Sequence, residues 1–417
     1  LSYSELAAEI IFKFTGDDIE FDELLKITEK VYSNFTNDEV APLKDIGNNN
    51  FLLELFYGPT LAFKDYAMQF LAADFERVMK LKNENILILG ATSGDTGSAA
   101  LHAFSNLKLI DIFILYPNGM VSEIQEAQMT TISSDGAFPI KINGNFDDCQ
   151  NIVKTIFENL DFKKRLKLTA VNSINWARLV PQIVYYFYSA LKVTKPGNKV
   201  SFSVPTGNFG NIYAGWCAKK MGLPIEKLIC ASNKNNILTR FFNSGKMETK
   251  PVQKSYSPSM DIQVASNFER LLFELYDGRF DIVQKAMNDL AEHGKFKLSS
   301  NALKKMRQDF LSGTASEKVT SGTIKKTLND FGQLVCPHTS VGLAIANELL
   351  ERQDLAPMVT LATAHPAKFP DSVAEHTGVT PKLPQRYNGL FSKNEVFTLV
   401  KNNFTEITNI ISKRTSV

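Results

Sequence analysis

The sequence predicts an α/β protein of two lobes, each built on a parallel-type sheet flanked by helices. Three observations predict it. Short apolar runs at 85–89 (NILIL), 111–116 (DIFILY) and 358–362 (MVTLA) read as strands buried on both faces. Helical stretches separate them, so strand and helix alternate in the rhythm of a parallel sheet. At 417 residues and 46.6 kDa, the chain also exceeds what one compact core holds.

Taken in order, residues 2–13 and 21–34 read as amphipathic helices followed by an acidic loop. A helix begins near Lys64, after the rigidifying Gly58-Pro59 and the apolar Leu61-Ala62-Phe63. The 85–89 strand leads through a glycine-rich turn to a helix from Ser98. Next come a strand at 111–116, a helix from Ser122, a strand at 138–142, a helix at 147–160 and a strand at 166–171. After a helix at 176–191 a second round follows: strand 199–204, the turn PTGNFGN, helix 212–221 and strand 228–231. Residues 245–321 are more charged and less periodic, and read as an insertion with helices of its own. A helix at 341–351 and the strand at 358–362 lead to TAHPAKF. The expected domains are an N-terminal helical region (1–55), a large domain (56–83 with 176–417, carrying the insertion) and a smaller inserted α/β domain (84–175). A ligand cleft is expected between the two lobes.

Composition excludes several function classes. A net charge of +2 gives no footprint for nucleic acid or an anionic membrane. Neither a transmembrane run nor a signal-peptide pattern is found. The four cysteines, Cys149, Cys217, Cys230 and Cys336, show no CxxC, as expected of reduced thiols in a cytoplasmic protein. The five histidines form no HxxxH or HExxH, so no metal site is expected, and no GxSxG nucleophile elbow occurs. Because the chain starts at Leu1 rather than Met, a few preceding residues are expected.

Chemistry concentrates at strand ends. In GATSGDTG (90–97) glycines let a ligand approach the backbone, while Thr92, Ser93 and Thr96 add hydroxyls. The helix that follows presents unpaired N–H groups to an anion. PTGNFGN (205–211) repeats the arrangement. One such turn is open between plain turn chemistry and a binding site; two suggest a pair of anionic groups held together. In VNSINWARL (171–179), Arg178 follows Asn172 and Ser173 by about one helical turn. It is open between a surface helix residue and an anion clamp. Lys64 is open in the same way, between a solvated helix residue and an amine that joins a carbonyl. The second role, beside two anion sites, is what pyridoxal phosphate chemistry demands.

Six blocks, YGPTLAFKD, GATSGDTGSAA, NSINWARL, PTGNFGN, SPSMDIQVASNFERLL and ATAHPAKFP, resemble in order the signature blocks of threonine synthase. The form resembled is the bacterial and fungal one, within the tryptophan-synthase-β-like (fold type II) pyridoxal phosphate enzymes. The resemblance spans residues 57–370. It implies a PLP-dependent lyase that converts O-phospho-L-homoserine and water to L-threonine and phosphate, with the active site in the interlobe cleft and the large domain holding pyridoxal 5'-phosphate. Lys64 resembles the catalytic lysine that carries the cofactor as a Schiff base. Gly207, Asn208, Phe209, Gly210 and Asn211 resemble the loop around the cofactor phosphate. Thr363 resembles the hydroxyl partner of the pyridine nitrogen. Ser93, Gly94, Asp95 and Thr96 resemble the loop for the substrate carboxylate, with Asp95 also beside the cofactor. Thr92, Asn172, Ser173 and Arg178 resemble the group that holds the substrate phosphate.

Two departures stand out. The wider superfamily usually carries Asn in SGNTG, whereas this chain, like threonine synthases of this branch, has Asp95. The short STRG-like block expected before Leu1 is absent. The apolar residues before Lys64 are expected to keep its amine neutral. The resemblance further implies a small-molecule substrate and a monomer or homodimer. Alternatives on the same scaffold are a serine/threonine dehydratase, a phospho-lyase that stops at 2-oxobutyrate, or a non-catalytic paralogue.

Overall fold

The computed structural model describes residues 1–353, 355 and 357–414. They form two compact units, one of Leu1–Phe14, Glu39–Phe56 and Leu179–Pro381, the other of Thr15–Asp38, Tyr57–Arg178 and Lys382–Val417.

The first unit holds strands β1 (Leu43–Asp45), β2 (Asn50–Glu54), β7 (Val200–Pro205), β8 (Ile225–Ser232), β11 (Phe310–Thr314) and β12 (Met358–Ala362). They form one sheet in the order β1-β2-β12-β7-β8-β11. Every pairing is parallel except the β1–β2 edge hairpin. All residues of β7 and β12 are buried, the small polar Ser201, Ser203 and Thr360 among them. The helix Pro337–Arg352 covers one face through Val341, Ala344 and Ile345, which pack with Ile229 and Ala231 of β8. Strands β9 (Lys246–Glu248) and β10 (Lys295–Lys297) make a separate antiparallel pair.

The second unit holds β3 (Ile86–Ala91), β4 (Ile110–Pro117), β5 (Ala137–Asn143), β6 (Leu168–Thr169) and β13 (Thr398–Lys401). Their order is β13-β5-β4-β3-β6, and every pairing is parallel. Side chains alternate across this sheet. Ile86 and Ile88 of β3 pack on one face with Met68, Leu71, Ala99 and Phe104; Leu87 and Leu89 pack on the other with Ile152, Ile156 and Ile407. Helices therefore flank both faces, the α/β architecture expected.

Several boundaries differ from expectation. Residues 50–54, placed in the expected helical region 1–55, are a strand, because NFLLE lies beside β12 and is largely buried. The 245–321 region is not wholly an insertion, since its 310–314 segment pairs in register with β8. The 166–171 strand contracts to Leu168–Thr169. The helix expected from Ser98 begins at Asp95. Residues 57–83 fold with the 84–178 segment, because the helix Lys64–Lys82 packs on the helix Asp95–Phe104. Residues 382–417 join that unit too, through β13 on β5. Residues 1–55 are shared between the two units rather than forming a region of their own.

Candidate active site

Lys64 is the first residue of its helix and enters from a tightly held turn. Leu61 adopts φ +63°, a left-handed conformation that a leucine rarely takes. Strain of that kind persists only where neighbours over-determine the backbone. Here Asp65, fully buried, accepts from the Thr60 N–H (2.7 Å) and the Thr60 hydroxyl (2.6 Å). Gln128 Nε2 donates to the Thr60 carbonyl (3.3 Å). Arg386 Nη2 donates to the carbonyls of Tyr57 and Gly58. The turn is thereby pinned by three side chains.

Lys64 Nζ lies 3.6 Å from Asp95 Oδ2, and the two side chains are 14% and 6% exposed. This corrects the expectation of an apolar surrounding. Leu61 and Ala62 turn away into the core, and the amine instead faces a carboxylate.

Asp95 sits where β3 gives way to the helix Asp95–Phe104. Gly94 precedes it with φ +137°, and a Cβ there would lie 2.5 Å from the Gln125 side chain. Only glycine fits. Thr92 Oγ1 accepts from the N–H groups of Gly94 (3.0 Å) and Gly97 (2.8 Å), so this hydroxyl shapes the turn. Ser93 is exposed, and Thr96 is half-buried in the first turn of the helix. At the end of the neighbouring β6, Asn172 is exposed and Ser173 half-buried. Arg178 is no surface residue: it is 4% exposed, and Nη1 donates to the Val171 carbonyl (2.9 Å). Burial pushes its guanidinium down to about 10.

In the first unit, β7 ends at the PTGNFGN turn and the helix Gly210–Lys220 follows. Phe209 adopts φ +65° and buries its ring among Phe242, Phe268 and Phe310. That burial contributes about 2–3 kcal/mol, enough to offset the roughly 1–2 kcal/mol cost of the left-handed backbone. Phe209 therefore faces the core and offers a ligand only its main chain. Asn267 clamps the turn, donating to the Asn208 carbonyl from its N–H (3.1 Å) and from Nδ2 (3.2 Å). A Cβ on Gly207 would collide with the Ser259 carbonyl oxygen. Thr363, buried, directly follows β12, and Thr206 directly follows the neighbouring β7. Both stand at the carboxyl ends of adjacent parallel strands, where open α/β sheets bind ligands.

Asn211 tests whether this turn fits a phosphate-bearing cofactor. Its Oδ1 accepts from the hydroxyls of Tyr185 (2.6 Å) and Tyr186 (3.0 Å). Nδ2 is then a buried donor without a hydrogen-bond partner among the described residues. Such a donor is costly unless something accepts from it, and a phosphate oxygen suits. The residues present fit the group.

Sequence reasoning missed Gln125, Asn267, Asp261 and Arg386. Gln125 carried a visible signal, the Ser122-x-x-Gln capping box. Asp261 lies in the SPSMDI block and accepts from Asn233, Asn235 and Ser255, holding the segment that abuts Gly207. A separate cavity of about 740 Å³ in the first unit, lined in part by Asn48, Asn50 and Asn347, contains none of the expected site residues. Among the described residues no group of His, Cys, Asp or Glu could hold a metal, and no helix is long and apolar enough to cross a membrane.

Residues 40–365 match the family model described as pyridoxal-phosphate dependent enzyme. That sets the class: a pyridoxal-phosphate-dependent enzyme of fold type II. Residues 339–411 match the model for the C-terminal part of threonine synthase. Threonine synthase of Pseudomonas aeruginosa is 44% identical over 99% of this chain and 88% of its own length. The crystal structure of PLP-bound threonine synthase from Brucella melitensis superposes with a TM-score of 0.96 at 46% identity, covering 100% of this chain and 89% of that one. The yeast threonine synthase structure gives 0.93 at 38% identity, with 99% and 89% covered. The chain belongs to the threonine synthase family.

Proposed function

We propose that the chain converts O-phospho-L-homoserine and water to L-threonine and phosphate. The observation that carries this reading is the 3.6 Å pairing of Lys64 Nζ with Asp95 Oδ2, an amine and a carboxylate side by side at a glycine turn. When bound, pyridoxal phosphate supplies an electron sink for carbanions formed beside the substrate amine. Lys64 would hold its aldehyde carbon; once displaced, the Lys64 amine removes the proton from the substrate Cα. Asn211 Nδ2 and the N–H groups of the 207–210 turn would hold the cofactor phosphate, and the Thr363 hydroxyl would partner the pyridine nitrogen. A hydroxyl there would offer that nitrogen a neutral partner rather than a carboxylate. Ser93, Gly94 and Thr96 receive the substrate carboxylate at the positive end of their helix. Asn172, Ser173 and Arg178 hold the substrate phosphate, with Thr92 maintaining the shape of the adjoining turn.

Incubating the PLP-loaded protein with O-phospho-L-homoserine should release phosphate and threonine in equal amounts, followed by chromatography. Accumulation of 2-oxobutyrate instead would establish the phospho-lyase reading. Arg178→Ala should raise KM for the phosphorylated substrate by about 10- to 100-fold, the loss of one charge-assisted hydrogen bond, and leave cofactor affinity unchanged. Weakened cofactor binding with an unaltered KM would reassign Arg178 to the other phosphate.

A further inference from the structure

Gln125 meets Asp95 in a geometry that the blocks around Lys64 do not account for. Its Oε1 accepts the N–H of Ser122 (3.1 Å), closing the capping box of the helix Glu123–Thr130. Its Nε2 donates to Asp95 Oδ1 (2.8 Å), while Lys64 Nζ faces Oδ2. The amide cannot be reversed: turning it would set NH₂ against a backbone N–H and oxygen against a carboxylate. Gln125 is also buried and packed over Gly94, where a Cβ would strike it. Its position and its polarity are therefore both fixed by the main chain.

We propose that Gln125 is a positioning residue for the reaction. By donating to Oδ1 it keeps that oxygen an acceptor, so a proton on Asp95 sits only on Oδ2, the oxygen that faces Lys64. This rests on the reading of Lys64 as the cofactor lysine. Four other charged side chains neighbour Lys64 or Gln125 in sequence or hold the turn before Lys64, and His102, on the helix of Asp95, lies in the field of Asp65 and Arg386. Asp65 is held by Thr60, Glu126 pairs with Lys141, Arg386 serves the carbonyls of Tyr57 and Gly58, and Glu123 is exposed. A fixed donor on one carboxylate oxygen favours the ionised form and lowers the pH at which the site takes up a proton.

The test is the pH titration of the visible absorption band of the PLP-loaded protein. It is run on the wild type, Gln125→Met and Gln125→Glu, each with Asp95 and with Asp95→Asn. With Asp95 present, the midpoint should rise by about one unit in Gln125→Met, where the donor is lost. It should rise further in Gln125→Glu, where a second carboxylate faces the first. With Asp95→Asn neither substitution should move it by more than about 0.2 units. Equal shifts in both backgrounds, or unchanged midpoints alongside a lowered melting temperature, would reduce Gln125 to a packing residue and overturn the proposal. Gln125→Glu keeps the shape of the side chain, so the comparison survives if Gln125→Met does not fold. A wild-type protein without any visible band would overturn the cofactor reading and this inference with it.

Discussion

Lys64→Ala should abolish the visible absorbance of the PLP-loaded protein and lower turnover by roughly 10³-fold or more, the scale of losing both a covalent anchor and a general base. The fold should survive. Lys64 is partly exposed at the first position of its helix, and the turn before it is held by Asp65, Gln128 and Arg386 rather than by the amine. Melting temperature should therefore stay near the wild-type value. Lys64→Arg separates charge from nucleophilicity: a guanidinium keeps the positive charge beside Asp95 yet cannot condense with an aldehyde. It should be as inactive as Lys64→Ala. Near wild-type threonine formation by either variant would sink the assignment of Lys64.

Gly207→Ala should weaken pyridoxal phosphate by up to about 100-fold. The added methyl is driven into the Ser259 carbonyl, a backbone atom rather than a side chain that could swing aside. Ser259 is itself restrained, because its N–H donates to His338 Nε2 (3.2 Å) and Asp261 anchors the flanking residues. The 205–211 turn must then yield. Overpacking costs about 1–3 kcal/mol, which corresponds to about 5- to 150-fold in a dissociation constant. Binding of pyridoxal, which lacks the phosphate, should be nearly unaffected. Equal losses for both ligands would show that the turn does not serve the phosphate.

What could be read from the sequence followed the range of the interaction. MVTLA and DIFILY are legible as strands because burial on both faces makes most of their residues apolar, a property contained in the run itself. The two glycine turns were legible because their backbone demands are local. Lys64 was visible as unusual, but its true neighbour, Asp95, lies 31 positions away, and only tertiary packing of one helix on another brings them together. The side-chain directions of Leu61 and Phe209 were illegible for the same reason. Each looks like part of a ligand surface, yet each uses a left-handed backbone to turn its side chain into the core. Arg178 could not be resolved by spacing, since the same one-turn offset serves a surface residue and a buried one. The membership of 382–417 in the second unit was illegible for a stronger reason. It depends on TLVK finding β5, and a four-residue strand carries no information about so distant a partner.

That last feature orders events on the ribosome. Arg386, which secures the carbonyls of Tyr57 and Gly58, is synthesised more than three hundred residues after them. At about 5–20 residues per second, the segment bearing Lys64 is exposed on the nascent chain for roughly 15–65 s before its last tether exists. Lys64 is thus present early but its turn becomes fully held only once Arg386 has been made. A message interrupted between the codons for Pro370 and Arg386 would yield a polypeptide with every signature block from Tyr57 to Pro370 and no Arg386 to hold the turn before Lys64.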